Sequence, residues 1–105
     1  MSPRTVKKIA QHYNQVLREN NFSCTRIFVF GSQATGNARK DSDIDIAVVV
    51  KRRSKFSLEK QMLLRRFAIK VDTRIEPILL EEREFKRGEE SIIATAVKRH
   101  GIQVR

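Results

Sequence analysis

The chain reads as an α/β (α+β) protein, a small mixed β-sheet flanked by helices. Two observations predict this. Segments with apolar residues at helical spacing alternate with short β-branched and aromatic runs. The few prolines and glycines fall between those segments, where they punctuate. Helices that alternate with strands must cover a sheet to bury their apolar stripes.

The elements follow in order. Ser2-Pro3 reads as a helix N-cap followed by an N1 proline. Val6, Ile9, Tyr13, Val16 and Leu17 then form an apolar stripe, with Lys7, Lys8 and Arg18 on the wet face. This helix should stop near Asn20-Asn21. Ile27 to Phe30 is a continuous apolar run, as in a buried strand, and Gly31-Ser32 ends it. Residues 32–38 suit one or two helical turns, with Gly36 and Asn37 as terminators. Ile44, Ile46, Val48 and Val50 alternate with Asp43, Asp45, Ala47 and Val49, which predicts a second strand. The basic run Lys51-Arg52-Arg53-Ser54-Lys55 leaves the sheet. A helix with a broad apolar face is expected from Ser57 to Ile69, and a third strand from Arg74 to Leu80. Pro77 removes a donor inside that strand, so the strand lies at an edge or carries a bulge. Glu81 to Lys86 suits a short helix closed by Gly88. A last helix bears Ile92, Ile93, Ala96 and Val97, is capped by Ser91 and ends at Gly101; Ile102-Gln103-Val104 follows as a short strand.

At 105 residues, the chain is expected to form a single domain over 1–105. With 40% hydrophobic and 32% charged residues it is too apolar for a disordered chain and too polar for a membrane span. The basic N-terminus has no apolar signal core. Cys24 is the sole cysteine, which excludes an internal disulfide and makes the cytoplasm the expected location. The 22 Lys+Arg against 12 Asp+Glu leave a net charge of +10, which points to a polyanionic partner: nucleic acid, nucleotide phosphates or an acidic protein.

Residues 28–50 hold the chemistry. At Gly31-Ser32 a strand gives way to a helical turn. A glycine lets a ligand approach the backbone, and free N–H groups at the turn face an anion, with the Ser32 hydroxyl as a further donor. A Gly-Ser after a strand is also a common ordinary turn. Asp43 and Asp45 are two apart on a predicted strand, so both carboxylates share one face, roughly 6.5–7 Å apart at Cα. Such a pair suits Mg²⁺, which takes oxygen ligands and completes its shell with water and substrate phosphates; the alternative is a solvated strand end. Asp41 belongs to the preceding turn. Glu76 lies in a strand between apolar neighbours, where an acid is out of place, and Pro77 keeps it extended. If its strand adjoins the Asp43–Asp45 strand, Glu76 completes a three-carboxylate cage. Asp72 has the same parity and is the rival third ligand, and a salt bridge to a basic side chain such as Arg74 is the structural alternative. A phosphate turn facing metal carboxylates suits phosphoryl or nucleotidyl transfer, with Glu76 or Asp45 accepting the proton of the attacking hydroxyl.

Gly31-Ser32, ten intervening residues, then Asp43-Ile44-Asp45, set between an apolar strand and a Glu-bearing strand, resembles the signature of the DNA polymerase beta-like nucleotidyltransferase superfamily. The short chain is similar to its minimal nucleotidyltransferase (MNT) members. The resemblance covers most of residues 25–80, with a weaker likeness in the tail from Ser91. It implies a polymerase beta palm-like core in which Gly31 and Ser32 bind triphosphate, and Asp43, Asp45 and Glu76 are metal ligands and catalytic acids. It further implies Mg²⁺ as cofactor, ATP as substrate, and pairing with an all-helical HEPN-type toxin. MNT proteins of that kind are antitoxins, some of which are implied to transfer AMP to a tyrosine of the toxin. In many relatives the third acid is Asp in an uninterrupted strand, whereas here it is Glu followed by proline.

Other motifs are negative or divided. There is no Walker loop, kinase motif set or paired-histidine zinc motif; His12 and His100 stand alone. Arg39-Lys40 could reach a triphosphate or ribose, or be a solvated loop. Lys51 to Lys55 and Arg65-Arg66 could meet RNA phosphates or an acidic protein surface, or be merely solvated. With no tryptophan and only Tyr13, no stacking platform for single-stranded nucleic acid is visible. Three functions therefore compete: an ATP-using MNT antitoxin that modifies its partner, a catalytically weak antitoxin that acts by binding, and a basic RNA-binding module.

Overall fold

The computed structural model describes residues 1–36 and 42–105. Its elements are α1 (Pro3–Glu19), β1 (Arg26–Phe30), α2 (Ser32–Thr35), β2 (Ile44–Val50), α3 (Ser57–Val71), β3 (Ile75–Glu81), a 3₁₀ turn (Glu82–Phe85), α4 (Ile92–His100) and β4 (Ile102–Gln103). Local chemistry sets their ends. The Ser2 hydroxyl accepts from the Thr5 N–H, with Pro3 in the first helical position, and the Ser91 hydroxyl accepts from the Ala94 N–H. Gly36 closes α2 in the left-handed conformation at φ 80°. Several boundaries depart from expectation by a residue or more. Helix α3 runs two residues past Ile69, β3 is displaced by one residue, and the Glu81–Lys86 segment is a 3₁₀ turn held by a reciprocal Glu81–Glu84 capping box.

The sheet order is β3-β2-β1-β4. Strand β1 is antiparallel to both β2 and β4, while β3 runs parallel to β2 after the α3 crossover. The sheet is therefore mixed, as the alternation of elements predicts. Pro77 sits on the edge strand, as its missing donor requires. The outward groups of that edge are met from α3 and its approach: Gln61 donates to the Pro77 carbonyl at 2.8 Å and accepts from the Leu79 N–H at 3.0 Å, and Arg53 donates to the Leu79 carbonyl at 2.9 Å. A capped edge cannot template another strand.

Side-chain parity divides the core in two. Ile44, Ile46, Val48 and Val50 of β2 face α1 and α3, where they meet Val6, Ala10, Tyr13, Leu17, Leu64 and Ala68. The Tyr13 hydroxyl crosses this layer to donate to the Leu64 carbonyl at 2.8 Å. On the other face Ala47 and Val49 join Phe30, Leu80 and Val97 under α4. Asp45 has the parity of Ala47 and Val49. It therefore emerges on the α4 side of the sheet, at the strand's N-terminal end, and is half-buried there.

Candidate active site

Sheet register brings the predicted residues together. Phe30 pairs with Asp45, so Gly31, the next residue of β1, lies beside the Asp45 carboxylate. Gly31 has φ 70° and ψ −151°, a region that only glycine occupies without strain. A Cβ built there would collide with Oδ2 of Asp45. The glycine is thus required twice, by its backbone conformation and by the carboxylate against it. Ser32 opens α2, whose first turn is closed by the Ala34 and Thr35 N–H groups on the Gly31 carbonyl, at 3.0 and 3.2 Å. The N–H groups at the start of such a turn have no acceptor within it.

On the opposite side, Asp45 pairs with Glu76 across the parallel ladder. Facing residues of neighbouring strands project from the same face. Asp43 immediately precedes β2 and is exposed, rather than lying inside the strand as expected. The pKa of Asp45 is raised, first by burial and then by the charges of Asp43 and Glu76. Asp43 and Glu76 thus both lie near enough to Asp45 for their charges to act on it.

Glu76 is held from α3, where Arg65 donates to its Oε2 at 3.4 Å. The salt bridge that the sequence leaves open thus exists, but from Arg65. Both groups are well exposed, so the pair is weak and easily exchanged. Asp72, the rival third ligand, is engaged elsewhere. It caps the end of α3 and takes a bidentate contact from the Arg74 guanidinium at 2.9 and 2.7 Å, which holds its carboxyl below the usual range. Arg74 also fixes the start of β3, its carbonyl accepting from the Ile44 N–H at 2.8 Å.

Among the described residues, no three acidic, histidine or cysteine side chains are drawn close enough to enclose a metal ion as they stand. The donor set nevertheless fits a hard divalent cation: all oxygen, all anionic, with the repulsion on Asp45 relieved by a positive charge. Arg39 and Lys40 lie outside the described residues, as does Asn37. Sequence reasoning missed two supporting residues. Gln33 is buried and donates to the Ser42 carbonyl at 3.3 Å, tying α2 to the approach of Asp43. Arg65 reaches Glu76 from eleven residues upstream. Gln33 stood inside the motif and was readable only as part of its turn; Arg65 carried no signal beyond its charge.

The family model for the nucleotidyltransferase domain matches residues 9–100. The chain belongs to the nucleotidyltransferase domain family. A protein of Methanocaldococcus jannaschii, named as a putative protein adenylyltransferase, is 26% identical over 102 residues that span 94% of each chain. Solved structures share the fold. A putative nucleotidyltransferase from Sulfolobus solfataricus superposes with a TM-score of 0.69 at 20% identity, covering 96% of this chain and 80% of the other. A toxin–antitoxin structure with AMP-PNP gives 0.60 at 24% identity, covering 89% and 70%. A mutant of the toxin–antitoxin MntA-HpeT gives 0.58 at 20% identity, covering 98% and 72%. The chain is thus a transferase by family, built on a four-stranded mixed sheet with helices on both faces. No described helix is long and apolar enough to cross a membrane.

Proposed function

We propose that this nucleotidyltransferase moves AMP from ATP to a tyrosine of a helical, HEPN-type toxin partner in the cytoplasm, with Mg²⁺, and acts as that partner's antitoxin. The observation that carries the reading is the contact of Asp45 with Gly31 while Glu76 stands opposite. On this reading an acidic focus adjoins the turn that would bind phosphate. The name of the M. jannaschii relative and the toxin–antitoxin neighbours support the acceptor class.

Each residue then has a task. Gly31 leaves room for the triphosphate at the backbone, and Ser32 offers its hydroxyl and N–H. Asp43 and Asp45, with Glu76, would hold Mg²⁺, which when bound neutralises phosphate charge and orients the triphosphate. Arg39 and Lys40 are placed by the sequence between the turn and the aspartates and would contact triphosphate or ribose. The tyrosine oxygen attacks the α-phosphorus, the bond to pyrophosphate breaks, and the tyrosine proton passes to a carboxylate. Glu76 suits this role because it is exposed at the sheet edge, where a protein acceptor can approach. Asp45, with its raised pKa, is the second candidate base.

RNA binding fits less well. Tyr13, the one tyrosine, is buried and bonded to Leu64, so it is not a stacking surface. Phe28 and Phe85 stack on each other and on the Arg26 guanidinium. Incubation with ATP, Mg²⁺ and the toxin partner, followed by mass analysis, tests the proposal. A tyrosine of the partner should gain AMP with the wild type and not with Asp43→Ala or Asp45→Ala. Equal labelling by those variants would show the mechanism to be wrong. An unlabelled but tightly bound partner would favour an antitoxin that acts by binding alone.

A further inference from the structure

Helix α3 is apolar on two sides. Leu64, Phe67 and Ala68 are buried in the core. Leu58, Met62 and Ile69 are 71%, 58% and 66% exposed. Together with Arg65 they fall at i, i+4, i+7 and i+11, a single stripe along the helix. Phe56, at the helix start, is also exposed. Isolated exposed leucines are ordinary, whereas an aligned series of large apolar side chains marks a contact surface.

Two observations indicate what covers it. The stripe borders the acidic site, because its one charged member, Arg65, is the residue that donates to Glu76. Its surroundings are basic: α3 carries Lys60, Arg65, Arg66 and Lys70 against Glu59 alone, and Lys51, Arg52, Arg53 and Lys55 precede it. A second copy packed here would set like charge against like, and an RNA strand would leave the apolar side chains wet. We propose that this stripe docks an amphipathic helix of the acceptor protein, with its apolar face on Leu58, Met62 and Ile69 and acidic residues along its margins. Such a partner is held beside the sheet edge that carries Glu76. The inference rests on the protein-acceptor function above.

Two synthetic amphipathic helices with the same leucine stripe, one margined with glutamate and one with lysine, test it on the full chain by calorimetry and amide chemical shifts. The glutamate peptide should shift amides of residues 57–71 and bind on the order of tenfold more tightly than the lysine peptide. Leu58→Ser with Met62→Ser, or the single reversal Met62→Glu, should weaken that binding by a similar factor. Because these side chains are exposed, the melting temperature should not change. Equal affinity for both peptides, or shifts confined to other elements, would overturn the inference. So would a dimer in sedimentation that the variants dissolve, or an RNA oligonucleotide bound at α3 regardless of the variants. AMP transfer to the partner keeps the two claims apart. Full transfer by the stripe variants rejects the docking surface alone. Intact docking without any transfer rejects the transferase function alone.

Discussion

At Gly31 two independent constraints meet, and they make different predictions. The backbone conformation at φ 70° alone should cost Gly31→Ala about 1–3 kcal/mol. The added Cβ also pushes into the Asp45 carboxylate, so nucleotide binding should fall further than stability does. Denaturant melts and calorimetry on the same variant separate the two effects. Asp45 is strained in the opposite sense. Burial, Asp43 and Glu76 all disfavour its charge, so the isosteric Asp45→Asn should raise stability at neutral pH without metal, read as a higher melting temperature. Asp72 shows the reverse sign. Hydrogen bonds from Arg74 hold its pKa below the unfolded value, so its stabilisation is present above the unfolded pKa and is lost as pH falls through the folded one. Asp72→Asn should therefore lower the urea midpoint at pH 7, a loss of at most about 1 kcal/mol of stability given the partly solvated arginine, with the difference vanishing in strong acid.

Between elements, the informative contacts join groups far apart in the chain. Tyr13→Phe removes the bond to the Leu64 carbonyl that links α1 to α3, and should cost about 1 kcal/mol, or several degrees in melting temperature. Such contacts explain what was legible in sequence. Ser2-Pro3 and Ser91 could be read as caps because capping is local. Pro77 implied an edge because a missing donor is tolerated only there. Asp45 and Glu76 could be placed on faces by parity, and the parallel register then set them opposite one another. Gln61, Gln33 and Arg65 were illegible in these roles, since each acts through a partner that only the tertiary fold supplies. Helix α3 was read as broadly apolar because both its faces are apolar. Only packing reveals that Leu64 and Phe67 go inward while Leu58 and Met62 stay out.

For the molecule as a whole, the net charge of +10 surrounds a small acidic focus at Asp43, Asp45 and Glu76. A basic field attracts a triphosphate while the focus calls for a cation, so affinity for ATP should depend on both salt and metal. Cation-dependent stabilisation by ATP, read as the melting temperature with and without Mg²⁺, tests this most directly. With Mg²⁺, ATP at about 100 times its Kd should stabilise the wild type by about 2.7 kcal/mol. Removing Mg²⁺ or substituting Asp45→Asn should abolish most of that gain. An equal shift in EDTA, or in Asp45→Asn, would contradict a nucleotide site centred on the Asp45 carboxylate.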